Sequence, residues 1–153
     1  MKSTENVLPK RILVDANFLV ALLKPETGGD LYLRAKHLVE RLEKQKGILI
    51  LPMPALAEYL VGADAAGLDS VHAFERKKYV LLAPFDRVSA FECAMLDRGA
   101  MNGPQQDKRD GATQPWQLVK VDRQIIAIGK ANGATVFVTR DGRARTTAMR
   151  CGM

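Results

Sequence analysis

Four short runs of aliphatic residues, Arg11 to Val14, Ile48 to Leu51, Tyr79 to Leu82 and Thr135 to Val138, recur along the chain with longer segments of helical period between them. The runs are continuously apolar instead of alternating. Each such strand needs cover on both faces, which is how strands of parallel sheets in α/β proteins read. Parallel neighbours require long crossovers, and the helical segments supply them. The pattern predicts an α/β fold, a three-layer α/β/α sandwich around a mainly parallel sheet of four to five strands.

The connecting segments carry their own punctuation. Asp30 to Lys46 has Leu31, Ala35, Leu38, Val39 and Leu42 at helical spacing, with Gly47 as a C-terminal stop. Pro54 to Val61 reads as a helix with Pro in its first turn and Gly62 near its end. Ser70 to Lys78, Arg87 to Arg98 and Asp122 to Asn132 read as helices, the last capped by Gly133, and residues 144–153 as a short terminal helix or a frayed end. Gly99 to Pro115, rich in Gly, Pro and charge, reads as a flexible loop.

At 153 residues, with 47% hydrophobic and 26% charged residues, the chain has the length and composition of a single globular domain over 1–153. No apolar run approaches the roughly 20 residues needed to cross a bilayer, and Met1-Lys-Ser-Thr-Glu-Asn6 lacks the apolar core of a secretory signal. The expectation is a cytoplasmic protein with no membrane partner. Cys93, Cys151, His37 and His72 match no zinc-site spacing. The formal charge of +6 points, weakly, towards a nucleic-acid partner.

The acids are more informative than the net charge. Asp15 follows the first strand directly and Asp141 follows the fourth, so both are expected at the carboxyl ends of parallel strands, where open α/β sheets bind ligands. Each also has an ordinary explanation, Asp15 as a helix N-cap and Asp141 as a turn residue before Gly142. Glu58 sits in the nearly all-apolar Ala55-Leu-Ala-Glu-Tyr-Leu-Val61, and Asp122 opens Val121-Asp-Arg-Gln-Ile-Ile-Ala-Ile128, where it serves equally as a cap. As a set the four are harder to explain. Like charges gathered so closely persist with a multivalent cation between them or with some groups protonated. Oxygen ligands favour Mg²⁺ or Mn²⁺ over zinc.

Leu13-Val-Asp-Ala-Asn17, Ala57-Glu58, Val121 to Ile128 and Gly133-Ala-Thr-Val-Phe-Val-Thr-Arg-Asp141, in this order and spacing, resemble the PIN-domain family. The resemblance implies an acidic pocket for Mg²⁺ or Mn²⁺ and endonucleolytic cleavage of RNA. It extends to the VapC-type toxins of bacterial toxin–antitoxin pairs, which implies an antitoxin partner and a homodimer. Asp15, Glu58, Asp122 and Asp141 occupy the family's acidic positions, with Asn17 and Thr139 as their polar neighbours. The stretch from Asp97 to Lys120 is longer than in compact members and adds Lys108, Arg109, Asp110 and Trp116 near the expected site. Asp110 is a candidate replacement for one of the four acids. Lys108, Arg109, Trp116, Arg140 and Arg143 are candidate RNA contacts, although Trp116 beside Pro115 is more often a core cover.

The expected reaction is metal-assisted hydrolysis of a phosphodiester, with Asp15 and Asp141 as direct ligands, Glu58 and Asp122 as ligands or water-orienting groups, and Asn17 and Thr139 holding them by hydrogen bonds. Two alternatives remain open at this stage. One is a PIN-like module that binds RNA or protein without cutting, and the other is a nuclease for structured DNA.

Overall fold

The computed structural model describes residues 7–102 and 116–153. Its elements run β1 (Arg11–Val14), α1 (Ala16–Leu23), α2 (Pro25–Gly28), α3 (Asp30–Lys44), β2 (Ile48–Pro52), α4 (Met53–Val61), α5 (Ala65–Glu75), β3 (Val80–Ala83), α6 (Arg87–Asn102), α7 (Trp116–Ala131), β4 (Val136–Val138) and α8 (Gly142–Arg150). All strands are parallel in the order β3-β2-β1-β4, with Leu13 opposite both Ile50 and Phe137. This is the α/β/α sandwich expected from the apolar runs.

The order of strands creates the site. From β1 the chain adds β2 and then β3 on one side, then crosses back to lay β4 against the other side of β1. The connections after β1 and β4 therefore part in opposite directions, leaving a crevice at their carboxyl ends.

Residues on both faces of the central strands are buried: Ile12, Leu13, Val14, Leu49, Ile50 and Leu51 are at most 1% exposed. Leu13 faces α7, where a Cβ on Gly129 would stand 2.6 Å from its Cδ2. The missing side chain lets α7 approach β1 closely, and α7 carries Asp122. Alternation along the strand turns Ile12 and Val14 to the other layer. Helix α7 is braced from outside by Arg123, 2% exposed, whose Nη1 donates to Asp97 Oδ1 of α6 at 3.1 Å.

Several boundaries differ from the sequence reading. Helix α7 starts at Trp116, six residues before Asp122, so Asp122 lies in its second turn and does not cap it. Helix α5 starts at Ala65, where Asp64 accepts from the Gly67 N–H at 2.8 Å. Helix α6 continues to Asn102, past Gly99 where a loop was expected; the remainder of that stretch lies outside the described residues. Helix α2 was not foreseen. After α3 it is Lys46, not Gly47, that takes the left-handed conformation (φ 54°), while Gly47 returns its N–H to Leu42. Gly133 caps α7 as expected, with φ 77° and the Ala134 N–H returned to Gly129.

Candidate active site

Asp15 is the first residue after β1 and caps α1, its Oδ1 accepting from the Phe18 N–H at 3.0 Å. Its other oxygen accepts from the Thr139 hydroxyl, which comes from the end of β4. Thr139 Oγ1 in turn accepts the Asp141 N–H at 3.0 Å, and Asp141 Oδ1 caps α8 through the N–H groups of Arg143 at 2.9 Å and Ala144 at 3.3 Å. Asp15 is thus the N-cap that its position allowed, and Asp141, expected as a turn residue, is the N-cap of α8, but capping uses only part of each carboxylate. Thr139 ties the two strand ends together, and Arg145 grips the Thr139 carbonyl at 3.1 Å.

Glu58 from α4 and Asp122 from α7 complete the surround. All four acids line one cavity of about 110 Å³, together with Asn17, Ile125, Phe137 and Arg143. Asp15 is buried, Asp122 and Asp141 are half-buried, and Glu58 is exposed on its helix. Arg140 is exposed outside the cavity and, with Asn17 and Thr139, borders an adjoining apolar groove of about 340 Å³ walled by α1 and α3. Of Trp116 the structure describes only its place at the start of α7, and Lys108, Arg109 and Asp110 lie outside the described residues.

The acids disturb one another. Burial pushes Asp122 up to about 6, with Asp141, Glu58 and Asp15 adding to the rise and Arg143 opposing it. Burial also raises Asp15, against its bonds to Thr139 and Phe18, and Asp141 adds to the rise. Glu58 is raised by partial desolvation and then by Asp15. These are the marks of a site whose charge is not balanced by protein alone.

A stability consequence follows for the metal-free protein. Because Asp122 holds its proton more tightly folded than unfolded (ordinary value 3.8), it favours folding below about pH 4 and that contribution is lost as pH rises through about 6. Full conversion of the shift gives about 3 kcal/mol, which half-exposure screens to on the order of 1 kcal/mol. Asp122→Asn is therefore expected to melt a few degrees above the native chain in EDTA at pH 8 and alongside it at pH 4. A variant that melts lower at pH 8 contradicts the repulsion.

The donor set suits a hard cation. Among the described residues no three His, Cys, Asp or Glu groups converge as a ready ligand set. Mg²⁺, however, needs only one or two carboxylates and keeps several waters, and about 110 Å³ admits an ion with a few waters at about 30 Å³ each. Asp15 and Asp141, linked through Thr139, stand where such an ion would be held.

Comparison with known proteins agrees with this architecture. The solved structure of VapBC2 from Rickettsia felis bound to a promoter DNA fragment includes a chain that superposes with a TM-score of 0.60 at 15% identity, over 90% of this chain and 92% of that one. No curated protein matches by sequence. The model of the PIN domain matches residues 12–149, from the second residue of β1 into α8, and on that match the chain belongs to the PIN-domain family.

Proposed function

We propose that this protein is a metal-dependent endoribonuclease that hydrolyses RNA phosphodiester bonds, acting as the toxin of a bacterial toxin–antitoxin pair. The observation that carries the reading is that Asp15, Glu58, Asp122 and Asp141 line one cavity at the crevice between β1 and β4. The PIN family supports a nuclease, and likeness to a chain of the VapBC2 complex supports an antitoxin partner. A homodimer is part of the same proposal.

Asp15 and Asp141 would hold Mg²⁺ or Mn²⁺, and Glu58 and Asp122 would bind it or orient the attacking water. The cation would supply Lewis-acid activation of water and neutralise charge at the phosphate. Thr139 fixes Asp15 and Asp141 relative to each other, and Asn17 lines the same cavity. Arg140, exposed beside the cavity, is a candidate contact for the RNA backbone, as are Lys108 and Arg109 by their sequence and Trp116 at the start of α7.

Thr139→Val removes both the donor to Asp15 and the acceptor for the Asp141 N–H. It is expected to slow cleavage by about 10–100-fold and to cost about 1–3 kcal/mol. Thr139→Ser keeps the hydroxyl and should restore most of the activity. Equal rates for Val and Ser in a gel assay would remove Thr139 from the site.

The experiment for the function is digestion of single-stranded RNA and of DNA flaps side by side, with Mg²⁺ or Mn²⁺ and with EDTA. RNA cleavage that EDTA abolishes is expected. Preference for flaps would replace the reading by a DNA nuclease, and no cleavage with no metal binding by calorimetry would leave a binding module.

A further inference from the structure

A positive charge among the acids is unexpected in a cavity suited to a cation. Arg143, in the first turn of α8, lines the cavity beside Asp15, Glu58, Asp122 and Asp141, and its field acts on Asp122. Its backbone is fixed: the N–H donates to Asp141 Oδ1 at 2.9 Å, and the carbonyl accepts from Thr147 Oγ1 at 3.0 Å. Its Nη1 is buried and has no hydrogen-bond partner among the described residues. Unmade buried donors are costly and rare in native proteins, so this guanidinium has donor capacity left for an acceptor that arrives with a ligand.

The sign of that ligand can be argued. A cation offers no lone pair to a guanidinium and is repelled by it, whereas a phosphate oxygen accepts from the fork in a charge-assisted bond. The cavity therefore carries receptors for both signs, carboxylates for a divalent cation and Arg143 for an anion beside it. A phosphodiester bridging the two would be held by each.

We propose that Arg143 grips a non-bridging oxygen of the scissile phosphate through its guanidinium and balances the charge that builds there during hydrolysis. In the reaction an O–P bond forms from water to phosphorus and the P–O bond to the leaving ribose oxygen breaks. One water proton passes to solvent, and the leaving oxygen takes one up. Arg143 stays protonated throughout and provides a fixed positive charge where negative charge accumulates. The identity of the anion rests on the ribonuclease reading; the anion site does not.

The test compares native protein, Arg143→Gln and Arg143→Lys in three assays: Mn²⁺ binding and inorganic phosphate binding in Mn²⁺, both by calorimetry, and RNA cleavage. Arg143→Gln is expected to weaken phosphate binding by roughly tenfold and to lower kcat by about 10²-fold, with Mn²⁺ affinity unchanged or raised. Arg143→Lys, a charge without the fork, should recover only part of both losses. Unchanged phosphate binding in Arg143→Gln overturns the proposal, as does loss of Mn²⁺ affinity in both variants, which would make Arg143 a scaffold for the acids. Phosphate held through Arg143 by a native protein that cuts no RNA would sustain the anion site and sink the ribonuclease reading. A native protein that binds no phosphate overturns the proposal outright.

Discussion

Asp15→Asn is expected to reduce metal-dependent RNA cleavage to background, a loss of at least about 10³-fold, while leaving the fold as stable as before or more so. The kinetic part follows from the several kcal/mol that a correctly held cation contributes to phosphodiester hydrolysis, at about tenfold per 1.4 kcal/mol. The stability part follows from what the substitution keeps. Asn is as good an N-cap as Asp, so the bond from the Phe18 N–H survives; its amide nitrogen donates to Thr139 Oγ1 instead of accepting from it, and the charge removed is one that burial and Asp141 already oppose. Asp15→Ala provides the contrast, because it also removes the cap and is expected to destabilise by about 1 kcal/mol. Urea denaturation and a cleavage assay on the same preparations separate the two effects. An Asn variant that retains activity shows that the chemistry lies elsewhere.

The largest stability effect is expected at Leu13. Its side chain is fully buried on β1 and packs where Gly129 brings α7 against the sheet. Leu13→Ala leaves a void that neighbouring strands on both sides prevent from collapsing, at a cost of about 2–5 kcal/mol. For a chain of this length that corresponds to a fall in Tm of roughly 5–20 °C. Because α7 also carries Asp122, metal affinity should weaken in the same variant when measured well below its Tm. The matching control is Val61→Ala, 89% exposed at the end of α4, which should stay within about 0.5 kcal/mol of the native chain. Similar losses in the two variants would place the core elsewhere.

Much of this architecture was legible because the constraint on a parallel sheet is local. A strand covered on both faces has to be apolar at every position, and the four runs mark the strands to within about one residue at each end. The acids at the ends of β1 and β4 were legible for the same reason, since the end of a recognisable strand is a recognisable place. Asp122 was found but misread. Its charge looks like a cap, although Leu118 and Val121 already carry the period of Ile125 and Ile128 upstream of it. The start of α5 was read five residues late, at Ser70; Gly67 sits in its first turn, where Asp64 satisfies the backbone and glycine costs little.

Other features depend on contacts between distant segments and leave no local signature. Arg123 follows Asp122 in a polar stretch, and only the packing of α6 on α7 shows that it is buried against Asp97. Arg143 was one of several basic residues near the end of the chain, and its place among the acids depends on α8 folding back over the crevice. The apolar groove draws its walls from α1, α3 and the end of β4, which no window of sequence brings together. Thr139 is intermediate: the family resemblance suggested a supporting role, while its two hydrogen bonds, to Asp15 and from Asp141, required the register of β1 with β4.

The central claim, that the four carboxylates form a divalent-cation centre, is tested most directly by diffraction from crystals soaked in Mn²⁺, recorded with anomalous scattering. The account predicts a strong anomalous peak in the cavity between Asp15 and Asp141, with Glu58 and Asp122 facing it directly or through water, and its disappearance in Asp15→Asn crystals. A cavity without a peak at saturating Mn²⁺, or a peak that persists in Asp15→Asn, would contradict it.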